Sequence, residues 1–281
     1  MSYKIVVDSC GELTLEQKKS GHFVSVALEM DVDDYHVVDD ETFDQAEFLR
    51  RVKESPNCPK STCPSPERYL AAFQGEEENV YVVTLSARLS GSHNSAELGK
   101  KLYFEENKNK KKNIHVFDSR SASIGQTLIA IKIQECEEAG LEFTQVIEEV
   151  DRYIEGQNTF FVLETLDTLR KNGRLSNLKA FVAGALNIKP VMGATPEGTI
   201  CQLAQARGMN KALEKMVQEV VNKTERCKER ILAISHCNCL KRAELVKEKL
   251  ENAAKFKDIL ILDTAGISSL YASDGGVIIA V

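Results

Sequence analysis

The sequence predicts an α/β protein of two domains: a mostly parallel, Rossmann-like N-terminal sheet with helices on both faces, then an α+β domain. Three observations predict it. Short apolar runs alternate with helical segments from residue 3 to residue 157, and such alternation builds a parallel sheet covered on both sides. Gly156-Gln157-Asn158 then interrupts the periodicity, which places a boundary between domains at 1–157 and 158–281. Beyond it come a hairpin and a strand–helix–strand–strand run, an α+β pattern.

Each element has its own signal. Tyr3–Ser9 (YKIVVDS) is an apolar run ending in Asp-Ser, and Phe23–Met30 (FVSVALEM) reads as one strand. Glu41–Ser55 carries Phe43, Phe48, Leu49 and Val52 at helical spacing and stops at Ser-Pro. In Ser65–Gly75, Ser65 is the expected cap, Pro66 the first helical residue and Gly75 the terminator. Strand VYVVTL (80–85) leads through a serine-rich turn into a helix reaching Tyr103. Strand IHVFDS (114–119) again ends in Asp-Ser, and helices follow over 123–139 and 143–157.

In the second half TFFVLET (159–165) is a strand, and Leu166, Leu169, Leu175 and Leu178 suggest two short helices around Gly173. Residues 187–208 form a hairpin about TPEG, whose Pro and Gly suit a turn. A helix over 210–223 and the strand–helix–strand–strand run ILAISHC, LKRAELVKEKLENAAK, ILILDT, GVIIAV complete the chain.

Composition narrows the function classes. With 281 residues, 43% hydrophobic and 28% charged, the chain can bury a large core. No apolar run approaches the roughly 20 residues of a membrane helix, so no membrane insertion is expected. A net charge of −6 argues against nucleic acid as a partner; the basic run Lys108–Lys112 reads as a solvated loop. The N-terminus enters a strand without a secretory apolar segment, so a cytoplasmic protein with reduced thiols is expected. Of the eight cysteines, only Cys58 and Cys63 have a zinc-like spacing, while Cys237 and Cys239 would crowd a tetrahedral ion. No metal is expected.

Two hydroxyl clusters stand out. In LSARLSGSHNSAE (85–97), Ser86, Ser90, Ser92 and Ser95 surround Gly91 where a strand gives way to a helix. They suit helix caps, with Asn94 and Glu97 as a capping box. They equally suit an anion site, since a helix N-terminus favours negative charge. A third reading makes Ser90 a nucleophile with His93 as base and Asp118 orienting it, although no G-x-S-x-G elbow surrounds Ser90. The second cluster, PKSTCPSPE (59–67), holds Ser61, Thr62 and Ser65 on a loop stiffened by Pro56, Pro59, Pro64 and Pro66. Such a loop suits a polar head group or is simply a connector.

Five motifs in order resemble the DegV family: IVVDS.GELT, STCPSP, LSGSHNSA, VFDSRSASIGQ and LDTLRKNGRLS…LNIKPV…G…ARG. The resemblance covers residues 4 to about 210. It implies a bacterial protein without chemistry of its own that binds a long-chain fatty acid and presents it to a fatty acid kinase, upstream of phospholipid metabolism. It implies a lipid tunnel between or within the two domains, no cofactor beyond the acid itself, and a carboxylate held at the hydroxyl clusters. Head-group binding is thereby carried onto Ser61, Thr62, Ser90, Gly91 and Ser92. Arg207 and Arg174 fall on family arginines and are the candidate partner-binding residues, Arg207 matching a position used in docking the kinase. Near the C-terminus, where the family carries His before Gly-Pro-Gly, this chain has LYASDGGVIIA. Tyr271 or Asp274 stands in place of that His, and only Tyr271 can donate to a carboxylate. The missing His puts service to a kinase in question. The apolar runs FFVL and AFVAGALNI are candidate tunnel walls, and a serine acyl hydrolase or transferase using Ser90 and His93 is the competing reading.

Overall fold

The computed structural model describes residues 2–108, 111–175 and 187–281. In chain order the first half runs β1 (Tyr3–Asp8), α1 (Leu15–Lys19), β2 (Phe23–Val26), β3 (Glu29–Val32), β4 (Tyr35–Val38), α2 (Gln45–Glu54), β5 (Lys60–Thr62), α3 (Pro66–Ala72), β6 (Asn79–Thr84), α4 (Ser92–Glu106), β7 (Asn113–Asp118), α5 (Ile124–Glu138) and α6 (Phe143–Gly156). The second half runs β8 (Thr159–Val162), α7 (Asp167–Lys171), β9 (Ile188–Ala194), β10 (Ile200–Arg207), α8 (Met209–Lys223), β11 (Ile231–His236), α9 (Leu240–Ala253), β12 (Asp258–Asp263), α10 (Gly266–Ala272) and β13 (Val277–Ala280).

The first sheet, β2-β1-β6-β7, is parallel throughout. Its strands are apolar at successive positions because both faces are covered. Tyr3, Ile5, Val7, Tyr81 and Val83 pack under α5 and α6, against Ile129, Ile133, Val146 and Val150. Val6, Val80 and Val82 point the other way, onto Tyr69, Phe73, Ala96 and Tyr103 of α3 and α4. Each fully buried Val or Ile contributes about 1.5–3 kcal/mol, so this two-sided burial is the main reason the strands pair.

The second sheet, β10-β9-β8-β13-β11-β12, is mixed: β11 and β12 are parallel and the other pairings antiparallel. One face carries α8 and α9 over Phe160, Val162, Leu232 and Ile234. The other face, including Phe161, Met192 and Ile278, turns toward the first half of the chain. There α5 is shared, since Ile124 and Leu128 pack on Ala233 and Ala280.

Several expectations need correction. FVSVALEM is two strands, not one. Pairing with β1 ends at Val26, and Ser9 Oγ takes the Leu28 N–H at 3.0 Å. The chain then turns out to make an antiparallel hairpin, β3–β4, across Asp33 at φ +54°. With β5, drawn from the proline-rich loop, this hairpin forms a small third sheet, β4-β3-β5. Helix α4 starts at Ser92 with Gly91 at its cap, so Asn94 lies inside the first turn and the Asn94/Glu97 box does not form. Ser65 occupies the cap of α3 but makes no side-chain capping bond. Helix α10 was unforeseen. The second short helix expected at Leu178, and Asn109 and Lys110 of the basic run, lie outside the described residues. Among the described residues no helix is long and apolar enough to cross a membrane and no group of His, Cys, Asp and Glu could hold a metal ion. All eight cysteines are free thiols.

Buried carboxyls fasten the two halves together. Asp39 accepts from the Gly266 and Ile267 N–H groups at 2.7 and 2.9 Å, at the start of α10. Glu12 accepts from Ser123 Oγ at 2.9 Å, and that hydroxyl also meets Ser235 Oγ of β11 at 2.8 Å. Burial pushes Glu12 up from 4.5 to about 7 and Asp39 up from 3.8 to about 6. Between the unfolded and folded values the native chain keeps protons that the unfolded chain has released, so stability falls as pH rises through that window and flattens above it. Urea unfolding of the wild type should therefore show higher stability at pH 5 than at pH 7.5. Glu12→Gln should remove its share of that fall, up to about 3 kcal/mol; equal pH dependence in both proteins would contradict the assignment.

Candidate binding site

At the carboxyl end of β1, Asp8 is fully buried and gathers donors from three segments. Leu85 N–H, after β6, reaches Oδ2 at 2.7 Å, and Ser92 Oγ, opening α4, reaches it at 2.6 Å. Gln126 Nε2 of α5 reaches Oδ1 at 2.8 Å. Burial raises the Asp8 pKa, and these hydrogen bonds offset part of that rise. The other Asp-Ser strand end does a parallel job: Asp118 Oδ1 accepts from the Ala87 and Arg120 N–H groups, each at 3.0 Å. The serine-rich turn is thus hung from two strand ends.

Within that turn each serine has a separate task. Ser86 Oγ donates to Gly198 O at 2.8 Å, fastening the β9–β10 turn. Ser90 Oγ accepts the Ser92 N–H at 3.2 Å and keeps its own proton for an outside acceptor. Ser92 is buried, and its hydroxyl is committed to Asp8 and Tyr69 Oη, the latter at 2.6 Å. Ser95 lies 4.0 Å from Cys63 Sγ of the proline-rich loop. The two loops touch at Gly91, where a Cβ would stand 3.1 Å from that sulfur.

Between the turn and the inner face of the second sheet lies a cavity of about 850 Å³, its open mouth counted. Its walls are overwhelmingly apolar, among them Leu28, Leu85, Phe161, Leu163, Ile267 and Ile278. Hydroxyls that interrupt those walls are occupied by protein partners: Ser121 pairs with Thr159 at 2.7 Å, and Ser268 donates to Cys10 O at 3.1 Å. Ser123, at φ +56°, is held by Glu12 and Ser235.

Apart from Arg120, which lines the cavity beside Gly198, free polar capacity gathers around one place on the wall. Ser61 Oγ and Tyr271 Oη are 2.8 Å apart, so only one proton is spent between them. Burial pushes the Tyr271 phenol above its ordinary value, which keeps it a protonated donor. Arg174 holds its guanidinium 5.6 Å from the Tyr271 ring by donating to Leu89 O and Asn172 O. Ser61, Ser90, Arg174 and Tyr271 all line the cavity.

The structure therefore brings together four of the residues singled out from sequence and leaves others apart. Thr62 is exposed, because successive strand residues face opposite ways and Ser61 takes the inward position. Ser92 is turned to Asp8, and Gly91 contributes backbone at the loop contact. Arg174, expected on a partner surface, is in the cavity wall. Arg207 is exposed at the end of β10. Asp274 is exposed and accepts from Asn238 Nδ2 at 3.1 Å. His93 Nδ1 lies 3.2 Å from Thr84 Oγ1, and no Ser90–His93 hydrogen bond forms among the described residues. Of the apolar runs, Phe161 and Leu163 reach the cavity, whereas most of AFVAGALNI lies outside the described residues. Leu85, Leu89 and α10 were missed, since nothing in their local sequence separates a cavity wall from ordinary core.

The family model described as "Uncharacterised protein, DegV family" matches residues 2–281. The chain belongs to the DegV family. A DegV domain-containing protein of Streptococcus pneumoniae is 38% identical over 283 residues, covering 99% of this chain and 98% of the relative. Among solved structures, a DegV family protein of Ruminococcus gnavus, refined with vaccenic acid, superposes with TM-score 0.97 at 55% identity, covering all of both chains. The fatty acid kinase (Fak) B3 protein of Streptococcus pneumoniae, loaded with linoleic acid, superposes with TM-score 0.88 at 35% identity, covering 100% of this chain and 99% of that one. The DegV match extends past residue 210 to the C-terminus, so Tyr271 and α10 lie inside the family unit.

In this DegV chain the cavity wall depends on Gly198. Its φ is +82°, and a Cβ there would sit 2.4 Å from Ser86 Oγ and 2.8 Å from Arg120 Cα. Gly198→Ala combines a disfavoured backbone with overpacking, so it should lower stability by about 3 kcal/mol. Chemical denaturation measures this, and a loss within ~0.5 kcal/mol would mean that the turn is free to move.

Proposed function

We propose that the protein binds one long-chain fatty acid, with the acyl chain in the cavity and the carboxylate at Ser61, Ser90, Tyr271 and Arg174. The observation that carries this reading is an apolar cavity in which Ser61, Ser90, Tyr271 and Arg174 form a cluster of uncommitted donors. Each buried methylene contributes about 0.8 kcal/mol, so ten would supply about 8 kcal/mol, and the polar end need only fix orientation. Arg174 adds a positive charge to what would otherwise be neutral hydroxyl recognition. The fatty acids in the related structures support the same reading.

In this proposal the protein is a carrier: it holds the carboxyl for a fatty acid kinase and performs no chemistry itself. The Fak B3 likeness supports it, and exposed Arg207 is the docking residue. The domains divide at 157/158, with the cavity at their seam, and the eight free thiols support a cytoplasmic setting.

Protein purified from a bacterial host, denatured and extracted, should release an aliphatic acid detectable by mass spectrometry. Preparations that are repeatedly empty and fail to take up oleic acid would overturn the proposal. Arg174→Gln should weaken oleic acid binding roughly tenfold through loss of a charged donor. Arg207→Ala should leave that binding unchanged while slowing acyl phosphate formation by a fatty acid kinase; unchanged kinetics would remove Arg207 from the docking surface.

A further inference from the structure

A second cavity opens farther along α5, where Ile131 lies about 12 Å from Ser123 at the helical rise. Helices α5 and α6 supply one side and the segment leading into β11 the other. Its space, open mouth counted, is about 670 Å³. The floor is apolar, from Leu128, Ile131 and Ile231, and the charged groups around it are Lys132, Glu135, Arg226, Glu229, Arg230 and Lys257. Two cations are matched: Lys257 meets Glu135 at 3.1 Å, and Arg226 meets Glu229 at 3.8 Å. Lys132 and Arg230 have no ion-pair partner among the described residues.

Arg230 is the informative one. Its guanidinium lies 5.9 Å from the Tyr153 ring centroid, and a Cβ on Gly156 would stand 2.8 Å from Nη2. The fork is therefore confined between an aromatic ring and a glycine. Yet Nη1 is buried and has no hydrogen-bond partner. Arg230 as a whole is half-buried, and a guanidinium N–H left unpaired inside the wall favours a nearby acceptor. The two unmatched cations equal the charge of a phosphate group near neutral pH, roughly −1.5 to −2, and a guanidinium fork fits its oxygens in pairs.

We propose that this cavity binds a small phosphate-bearing ligand, with Arg230 as the paired donor and Lys132 as the second charge. Because its walls come from both halves of the chain, the ligand bridges α5 and α6 to β11. The inference is independent of the acyl-binding reading, since none of its residues lines the first cavity.

Titration calorimetry with inorganic phosphate, in a buffer free of phosphate and sulfate, tests it. Saturable one-to-one binding is expected, with Arg230→Gln weakening it at least about tenfold and Lys132→Gln severalfold. Binding that never saturates below ~10 mM, or that both variants leave unchanged, overturns the proposal. Far-UV circular dichroism checks that the variants fold. If Arg230→Gln fails that check, Lys132→Gln decides alone: weaker phosphate binding in a folded protein supports the site, and unchanged binding overturns it.

Discussion

The buried Asp8 carboxylate is the constraint on which the site depends. A carboxyl at the end of a central parallel strand has no water to solvate it, so it must be surrounded by donors or stay neutral. The chain supplies those donors from β6, α4 and α5 at once. Satisfying one charge therefore fixes where three segments begin or end. It also explains why Ser92, the best-placed hydroxyl for a helix-terminal anion site, is unavailable to a ligand: the Asp8 carboxyl already holds it. Ser90, two residues earlier, inherits the outward role.

The seam between the halves follows the same logic on a larger scale. Asp39, Ser86, Ser121 and Ser123 each bind across it. These contacts are polar, short and mutually satisfied, so they give direction without leaving unpaired groups. The apolar surfaces they leave between them, Phe161 and Ile278 on one side and Leu28 and Ile267 on the other, do not close on each other fully. A cavity results because the polar ties set the spacing of the halves and the side chains are too small to fill it.

Legibility from sequence tracked the range of the interactions involved. The parallel sheet was readable because its apolar runs are buried on both faces, and the β9–β10 hairpin because Pro196 and Gly198 mark the turn. The third sheet was not, since β3, β4 and β5 are four residues or fewer and owe their pairing to partners distant in sequence. Nothing local says that FVSVALEM must break; Ser9, nineteen positions before Leu28, does it. Hydroxyl clusters were visible as composition, but their division of labour was not. Whether Ser61 or Thr62 faces inward depends on the register of β5 with β3, which only the fold supplies. Tyr271 was reached through family resemblance alone, because no periodicity or spacing links it to Ser61, 210 positions away.

The split between an apolar chain site and a small polar end also bears on which changes the site can absorb. If most binding energy comes from methylene burial, the polar end must only prefer one orientation, and about 1.4 kcal/mol already makes that preference tenfold. A Ser–Tyr pair, one free serine hydroxyl and one arginine exceed that requirement. Exchanging one hydroxyl residue for another, or placing a tyrosine beside Ser61, then alters the head-group contacts without altering whether a chain is held. What such exchanges do alter is the charge and proton inventory around the carboxyl. A phenol kept protonated by burial donates a hydrogen bond but brings no positive charge, so in the proposed binding mode the charge beside Tyr271 comes from Arg174. Under that proposal the charge offered at the polar end comes from an arginine fixed by two backbone carbonyls, and the hydroxyls set orientation.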